Sequence, residues 1–301
     1  MNFQIISDGA CDLPISYIEE NNIKVIPFYI SFGEEELQKE GSIISVKEFY
    51  KKMVDNPDVF PKTSLPSVND YIEVFTPYVE KNIPIICICI DLKISGSYNS
   101  AKMAKTYLEE KFENVQIKVI DSTVLTATQA LYVMEAVKMR DAGVSFEQTY
   151  ENLQRIKKFG RIHFTVGNVD YLKHGGRIGR VAGFAAGALG LKPLIELKDG
   201  DIFPAGVARS RKKSVSQLMT LTKKYFEDNL EDPNDYAFCV GYGYSKEEGE
   251  EYREKLIKSL SEYSDISGDD VKMVQIGATT GVHTGPYALG HGFIKKYDKS
   301  L

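Results

Sequence analysis

The feature that most restricts the fold of this chain is a nearly continuous apolar run at residues 83–90, with the sequence IPIICICI. Such a run suits a parallel β-strand that is covered on both faces. Strand-like and helix-like segments alternate on both sides of this run. Alternation of this kind is typical of α/β proteins, in which helices cover a sheet. The sequence therefore predicts an α/β fold.

The pattern divides the chain into two units that meet near residue 160. In the first unit we expect strands at residues 3–7, 23–32, 83–90 and 115–120, and helices at 46–54, 71–81, 97–111, 126–142 and 146–158. In the second unit we expect strands at 162–166, 193–197, 201–208, 237–242 and 271–277, and helices within 168–191 and at 213–228 and 246–259. Asp12 is expected to cap a helix that starts at Pro14, and Asp199-Gly200 to turn a hairpin. These elements predict domains at residues 1–160 and 161–301.

Size and charge restrict the function. A chain of 301 residues is long for one layered core, and at 43% hydrophobic residues it can bury substantial cores. Its apolar runs fall short of the roughly 20 residues that span a membrane, and its N-terminus lacks the pattern of a signal peptide. We therefore expect a cytoplasmic protein without stable membrane insertion. The net charge of −5 and the pI near 5.6 argue against nucleic-acid binding.

The cysteines and histidines do not form a metal-binding pattern. Cys87 and Cys89 alternate within one expected strand, so both side chains lie on the same face. They could form a redox pair, but two small buried hydrophobic side chains are the favoured interpretation.

Three short segments rich in hydroxyl groups and glycine are interpreted as loops: TSLPS at 63–67, ISGSYNS at 94–100 and TTGVHTGP at 279–286. Hydroxyl and backbone N–H groups there could bind a small anion. The three segments contain no Lys or Arg, which a polyphosphate site normally uses. They therefore favour a weakly charged head group such as a carboxylate.

Thr63, Ser95 and His283 are the candidate ligands in these segments. Each has a structural alternative: Thr63 in an ordinary polar turn, Ser95 or Ser97 as a helix cap, and His283 as a structural histidine. His283 has an ordinary pKa of about 6.5 and could donate to a carboxylate. The occurrence of all three in one chain favours a binding site.

Two further segments have open interpretations. Small residues dominate between Val181 and Gly190, which suits either a tightly packed helix or an apolar tunnel. The cations at 209–213 stand where a helix is expected to begin, a position that favours acids. They could bind an anion or an acidic partner, or form a solvated face.

A serine hydrolase or acyltransferase is the competing interpretation. Ser95 or Ser97 would be its nucleophile and His283 its base. However, the chain lacks the Gly-x-Ser-x-Gly motif, and its other histidines do not extend the pattern.

Taken together, the motifs resemble those of the DegV family of bacterial fatty-acid-binding proteins. In chain order they are IISDGACDLP at 5–14, TSLPS at 63–67, ISGSYNSA at 94–101, YLKHGGRIGR at 171–180, LKP at 191–193 and GPYALG at 285–290. Two positions depart from the family pattern: Leu65 stands where a polar residue, often Gln, is usual, and Ser97 stands where Thr is common.

The resemblance implies a two-domain protein with a mostly parallel N-terminal sheet flanked by helices and a C-terminal α/β domain that buries a long-chain fatty acid. It implies that Thr63, Ser95 and Gly96 hold the carboxylate with His283 beside it. It implies no cofactor, no metal and no catalysis by the carrier itself. A separate ATP-dependent fatty acid kinase would convert the bound acid into an acyl phosphate. Arg177 would lie near the head group or the kinase surface. Independently of the resemblance, Arg209 and Arg211 of the cation cluster are further candidates for that role.

Overall fold

The computed structural model describes residues 3–181 and 190–300. The strands in these ranges are β1 Gln4–Asp8, β2 Lys24–Ile26, β3 Tyr29–Ser31, β4 Gln38–Lys39, β5 Lys62–Ser64, β6 Ile85–Cys89, β7 Ile117–Asp121, β8 Arg161–Thr165, β9 Lys192–Lys198, β10 Asp201–Ala208, β11 Tyr236–Tyr242, β12 Val271–Gln275 and β13 Leu289–Lys295. The helices are α1 Ile15–Glu20, α2 Val46–Asp55, α3 Val68–Val79, α4 Ser97–Lys111, α5 Thr126–Asp141, α6 Phe146–Ile156, α7 Asp170–His174, α8 Arg211–Asn229, α9 Lys246–Leu260 and α10 Ala278–Thr284.

The first large sheet is parallel, with the strand order β2-β1-β6-β7. Strand β6 lies inside this sheet, and all five of its residues are buried. That burial explains why its sequence is apolar at every position. The predicted α/β class and the parallel strand within residues 83–90 are therefore confirmed.

The second large sheet is mixed and has the strand order β10-β9-β8-β13-β11-β12. Strands β9 and β10 form the predicted hairpin. Its turn residues have positive φ angles, 51° at Asp199 and 73° at Gly200. This is the backbone of a type I′ turn, which matches the twist of the flanking strands. A third, small antiparallel sheet has the order β4-β3-β5 and carries Thr63.

Helix α5 lies between the two large sheets. It is buried on nearly every side, and it shares one hydrophobic cluster with Ile5 and Ile86 of the parallel sheet and with Cys239 and Ile294 of the mixed sheet. Burial on nearly every side is expected for a helix whose faces are covered by two sheets. The sheets thus share a core, and the domain boundary near residue 160 stays a prediction.

Three local expectations were wrong. Asp12 does not cap the N-terminus of α1: its φ of 50° places it in the left-handed region, where it ends a short 3-10 helix, and α1 begins at Ile15 after Pro14. The run 23–32 splits into β2 and β3, which belong to different sheets, because Pro27 between them has no N–H for a continuous ladder. The segment 279–286 is mostly the helix α10 rather than a loop.

All four cysteines are buried, and the Sγ atoms of Cys87 and Cys89 are 3.8 Å apart. The small-residue segment lies mostly at 182–189, outside the described residues. None of the helices in the described ranges is both long and apolar enough to cross a membrane.

Candidate functional site

A cavity of about 220 Å³ lies between the mixed sheet, α10 and the loops that follow β5 and β6. A single water needs only about 10–15 Å³ of such space, so the cavity can hold a much larger molecule. Most of its wall is apolar. The apolar side chains include Phe28, Leu125, Ile162, Phe164, Leu172, Leu197, Ile202 and Ile276.

The polar part of the wall comes from separate segments of the chain. Thr63 lies on β5, Ser95 lies in the turn before α4, and His283 lies in the last turn of α10. Arg177 and Thr280 line the same cavity. The structure therefore brings the predicted residues Thr63, Ser95 and His283 to one place, although they are far apart in the sequence.

Three buried polar atoms on this wall have no hydrogen-bond partner within the described part of the chain. They are Thr63 Oγ1, Thr280 Oγ1 and His283 Nδ1. Leaving a buried donor or acceptor unpaired costs about 1–3 kcal/mol, and such groups are rare in folded proteins. His283 Nδ1 lies against Gly175, whereas the unpaired hydroxyls of the cavity-lining residues Thr63 and Thr280 indicate a site for a polar group of a ligand.

The turn at residues 94–96 is held by backbone hydrogen bonds to Asp91. The Asp91 carbonyl accepts hydrogen bonds from the N–H groups of Ile94 and Ser95, at 3.1 and 3.0 Å. Gly96 is the N-cap residue of α4, and a Cβ atom built on it would lie 3.3 Å from the Leu65 side chain. Leu65 thus packs beside the turn instead of offering a polar group to it.

Of the described residues that line the cavity, Arg177 alone carries a formal charge at neutral pH. Its guanidinium donates to the Ile94 carbonyl, at 3.1 and 3.2 Å, and to the Gly175 carbonyl, at 2.7 Å. Burial, together with the positive charge of Arg177, lowers the pKa of His283 to about 4. The imidazole is therefore neutral at pH 7, and Arg177 supplies the positive charge.

The serines do not form the catalytic arrangement of a hydrolase. Ser97 is fully buried, and its hydroxyl lies 2.7 Å from Asp8 Oδ2 and 2.7 Å from the Tyr71 hydroxyl. Ser95 Oγ accepts from the Ser97 N–H at 3.3 Å. Within the described residues, neither serine is hydrogen-bonded to His283, and no carboxylate orients its ring. A triad needs both contacts.

Two predicted cations lie away from this wall. Arg209 is exposed next to the start of α8. Arg211 forms two hydrogen bonds with the Glu248 carboxylate, at 2.7 and 3.0 Å. Neither lines the cavity, so a role for them at a partner surface stays a prediction. In the described ranges, no cluster of three or more His, Cys, Asp or Glu side chains could hold a metal ion.

Thr280 and Glu40 are the residues that sequence reasoning missed. Glu40 accepts hydrogen bonds from the N–H groups of Ala278 and Thr279 and from the Thr279 hydroxyl, and so caps α10. Because the cap comes from a distant part of the chain, the local sequence gave no sign that α10 is a helix. With α10 recognised as a helix, the spacing of Thr280 and His283 would have placed both on one face.

Comparisons with known proteins give a consistent result. The model of the DegV family, described as "Uncharacterised protein, DegV family", matches residues 2–296. A stearic acid-binding protein from Eubacterium ventriosum superposes with a TM-score of 0.91 at 44% identity, over 98% of this chain and 99% of that one. DegV, a fatty acid binding protein from Bacillus subtilis, has a TM-score of 0.81 at 25% identity, over 98% and 100% of the two chains. A DegV domain-containing protein from Clostridium perfringens is 29% identical over 94% of this chain and 95% of its own length.

Proposed function

The chain belongs to the DegV family, and on that premise we propose that it binds one long-chain fatty acid without acting on it chemically. The carboxylate occupies the polar wall formed by Thr63, Ser95, Gly96 and His283, close to Arg177. The acyl chain occupies the apolar part of the cavity. The observation that carries this proposal is the set of unpaired buried polar atoms in residues that line a mostly apolar cavity. The stearic acid-binding relative supports the same ligand class.

Estimated energies assign different roles to the two ends of the ligand. Each buried methylene contributes about 0.8 kcal/mol, so a chain of about 14 methylenes contributes on the order of 11 kcal/mol before ordering costs. A hydrogen bond to a charged group contributes roughly 1.5–3 kcal/mol. The acyl chain therefore supplies most of the affinity, and the head-group contacts fix which end of the ligand lies at the polar wall.

We further propose that the bound acid is presented to a separate ATP-dependent fatty acid kinase, which forms the acyl phosphate. Because this step uses ATP, we place the protein in the cytoplasm. The exposed side chain of Arg177 beside the cavity supports presentation, since it could stabilise phosphate charge near the carboxylate. Arg209 and Arg211 are candidates for the kinase-facing surface.

The direct test of the ligand is mass spectrometry of small molecules extracted from the purified protein. We expect a long-chain fatty acid in near-stoichiometric amount. After removal of lipid, the protein should rebind an added fatty acid. Protein that carries no fatty acid and also fails to bind added acid would exclude the carrier function. Ester hydrolysis by the purified protein, lost in Ser95→Ala, would favour the hydrolase instead.

The first prediction concerns the head-group contacts. Thr63→Val and Ser95→Ala should each weaken fatty-acid binding by about 1–3 kcal/mol, because each removes a hydroxyl beside a partly desolvated carboxylate. Titration calorimetry with lipid-free protein measures the change. Thr220→Val is the matched control, since the Thr220 hydroxyl donates to the Ser216 carbonyl on the exposed side of α8 and lies outside the cavity wall. Wild-type affinity in both site variants would place the carboxylate elsewhere.

The second prediction separates carriage from presentation. Arg209→Glu should leave the bound lipid unchanged, because Arg209 does not line the cavity. It should slow acyl-phosphate formation with the kinase, and more so at low salt, because exposed interface charges mainly change encounter rates. Arg211→Glu would also break the pair with Glu248, so Arg209 is the cleaner site.

Lys224→Glu is the matched control for this prediction. Lys224 is exposed on α8, and it lies 13 residues beyond Arg211, or about 20 Å along the helix. Equal kinase rates for wild type and Arg209→Glu at low salt would remove Arg209 from the docking surface. Equal slowing by both variants would indicate a response to net charge alone.

A further inference from the structure

Helix α10 presents one face to the cavity. Thr280 and His283 are three residues apart on this helix, so their side chains lie on the same face. Both line the cavity. Thr280 is only 6% exposed to solvent, so its hydroxyl cannot rely on bulk water for a hydrogen bond.

The hydroxyl groups of the two other threonines on α10 are already bonded. Thr279 donates to the Glu40 carboxylate, and Thr284 donates to the Thr280 carbonyl at 3.1 Å. The Thr280 hydroxyl has no partner among the described residues. It is thus the hydroxyl of this helix that remains for a ligand.

The helix is held in this orientation from two other sides. Glu40 caps its N-terminus through the Ala278 and Thr279 N–H groups. Behind it, Gly281 lies against Tyr50: a Cβ atom built on Gly281 would be 2.6 Å from the tyrosine oxygen. Rotation of α10 to expose Thr280 would break the cap and press the helix into Tyr50.

We propose that Thr280 is a further head-group ligand, whose hydroxyl donates a hydrogen bond to the carboxylate of the bound fatty acid. This inference rests on the function proposed above. A carboxylate has about four lone-pair positions, so it can accept from Thr280 as well as from Thr63 and Ser95. Thr280 and His283 then contact the head group from α10, while Thr63 contacts it from β5.

The test compares two ligands of equal chain length, a fatty acid and the corresponding primary alcohol, on lipid-free protein. Thr280→Val removes the hydroxyl and keeps the shape of the side chain. It should weaken binding of the acid about tenfold and binding of the alcohol by less than threefold, because bonds to charged groups are stronger. Thr280→Ser keeps the hydroxyl and should bind the acid within threefold of wild type.

The outcomes distinguish this inference from the function on which it rests. Acid binding by Thr280→Val within twofold of wild type would overturn the inference, as would an equal loss for acid and alcohol, which indicates a structural role. A wild-type protein that binds no fatty acid would overturn the proposed function itself. If Thr280→Val does not fold, Thr280→Ala provides the same comparison, with Thr280→Ser as the reference that retains the hydroxyl.

Discussion

Gly241→Leu is expected to weaken long-chain fatty-acid binding about 200-fold while the chain stays folded. Gly241 lies on β11 and lines the cavity. A Cβ atom built there would meet Ile276 at 3.3 Å and Ala127 at 3.6 Å, both of which also line the cavity. The rest of a leucine side chain would extend into the space that we assign to the acyl chain.

The size of this effect follows from the volume that is lost. Four added carbons displace about four methylenes of the ligand, at about 0.8 kcal/mol each. The loss of about 3.2 kcal/mol corresponds to about 200-fold in the dissociation constant. Leucine suits the extended backbone of a strand better than glycine does. This preference favours the folded state of the variant.

Titration calorimetry measures the affinity, and far-UV circular dichroism verifies the fold. Gly241→Ala is the matched control: it adds a single carbon, and its binding loss should stay below tenfold. A Gly241→Leu protein that is folded and binds an 18-carbon acid as tightly as wild type would show that the acyl chain lies elsewhere. The same result would contradict the assignment of this cavity to the fatty acid.

The regular part of the fold could be predicted because its signals are local. The apolar run of β6 predicts burial on both faces, and Asp199-Gly200 predicts the hairpin turn. Helix α4 was predicted with its observed bounds, Ser97–Lys111. In these places the residues that determine the structure are neighbours in the sequence.

The parts that could not be predicted depend on distant residues. Helix α10 is capped by Glu40, more than 230 positions away in the sequence. Ser95 and Ser97 look equivalent in the sequence, but the structure buries Ser97 against Asp8 and leaves Ser95 at the cavity. The three hydroxyl-rich segments by themselves predicted only neutral donors; Arg177, which also lines the cavity, was placed near the head group only by the family resemblance.

The effect of Asp91 on stability is the remaining prediction. Asp91 is fully buried, Oδ1 accepts from the Lys93 N–H, and Oδ2 has no partner among the described residues. Its carbonyl accepts from the Ser95 N–H, and its side chain packs against the β9–β10 hairpin, since a Cβ atom on Gly200 would lie 2.7 Å from Asp91 Oδ1. Both connected segments contribute to the cavity wall.

The pKa of Asp91 is raised from 3.8 to about 7, mainly by burial. The nearby Asp121 and Asp201 also raise the pKa, whereas the Lys93 N–H favours the charged form and lowers it. In the unfolded chain the group loses its proton near pH 4. The folded protein keeps that proton up to about pH 7, so its stabilising contribution is complete below pH 4. The contribution is lost as the pH rises through 7.

Asp91→Asn should therefore gain stability over wild type as the pH is raised from 4 to 8. A difference of about three between the two pKa values corresponds to roughly 4 kcal/mol, which is the upper limit for the pH-dependent gain. A constant cost of burying the amide cancels when the two pH values are compared. Urea unfolding at each pH measures the free energy of unfolding of both proteins. Far-UV circular dichroism is the signal to follow, since the chain has no tryptophan.

Asp199→Asn is the matched control, because Asp199 lies in the turn of the β9–β10 hairpin and 65% of its side chain is accessible to solvent. Its stability relative to wild type should change little between pH 4 and pH 8. If Asp91→Asn showed the same small change, the carboxyl group of Asp91 would not hold its proton in the folded state. A gain confined to Asp91→Asn would show that ionisation of the buried Asp91 carboxyl group destabilises the folded protein as the pH rises.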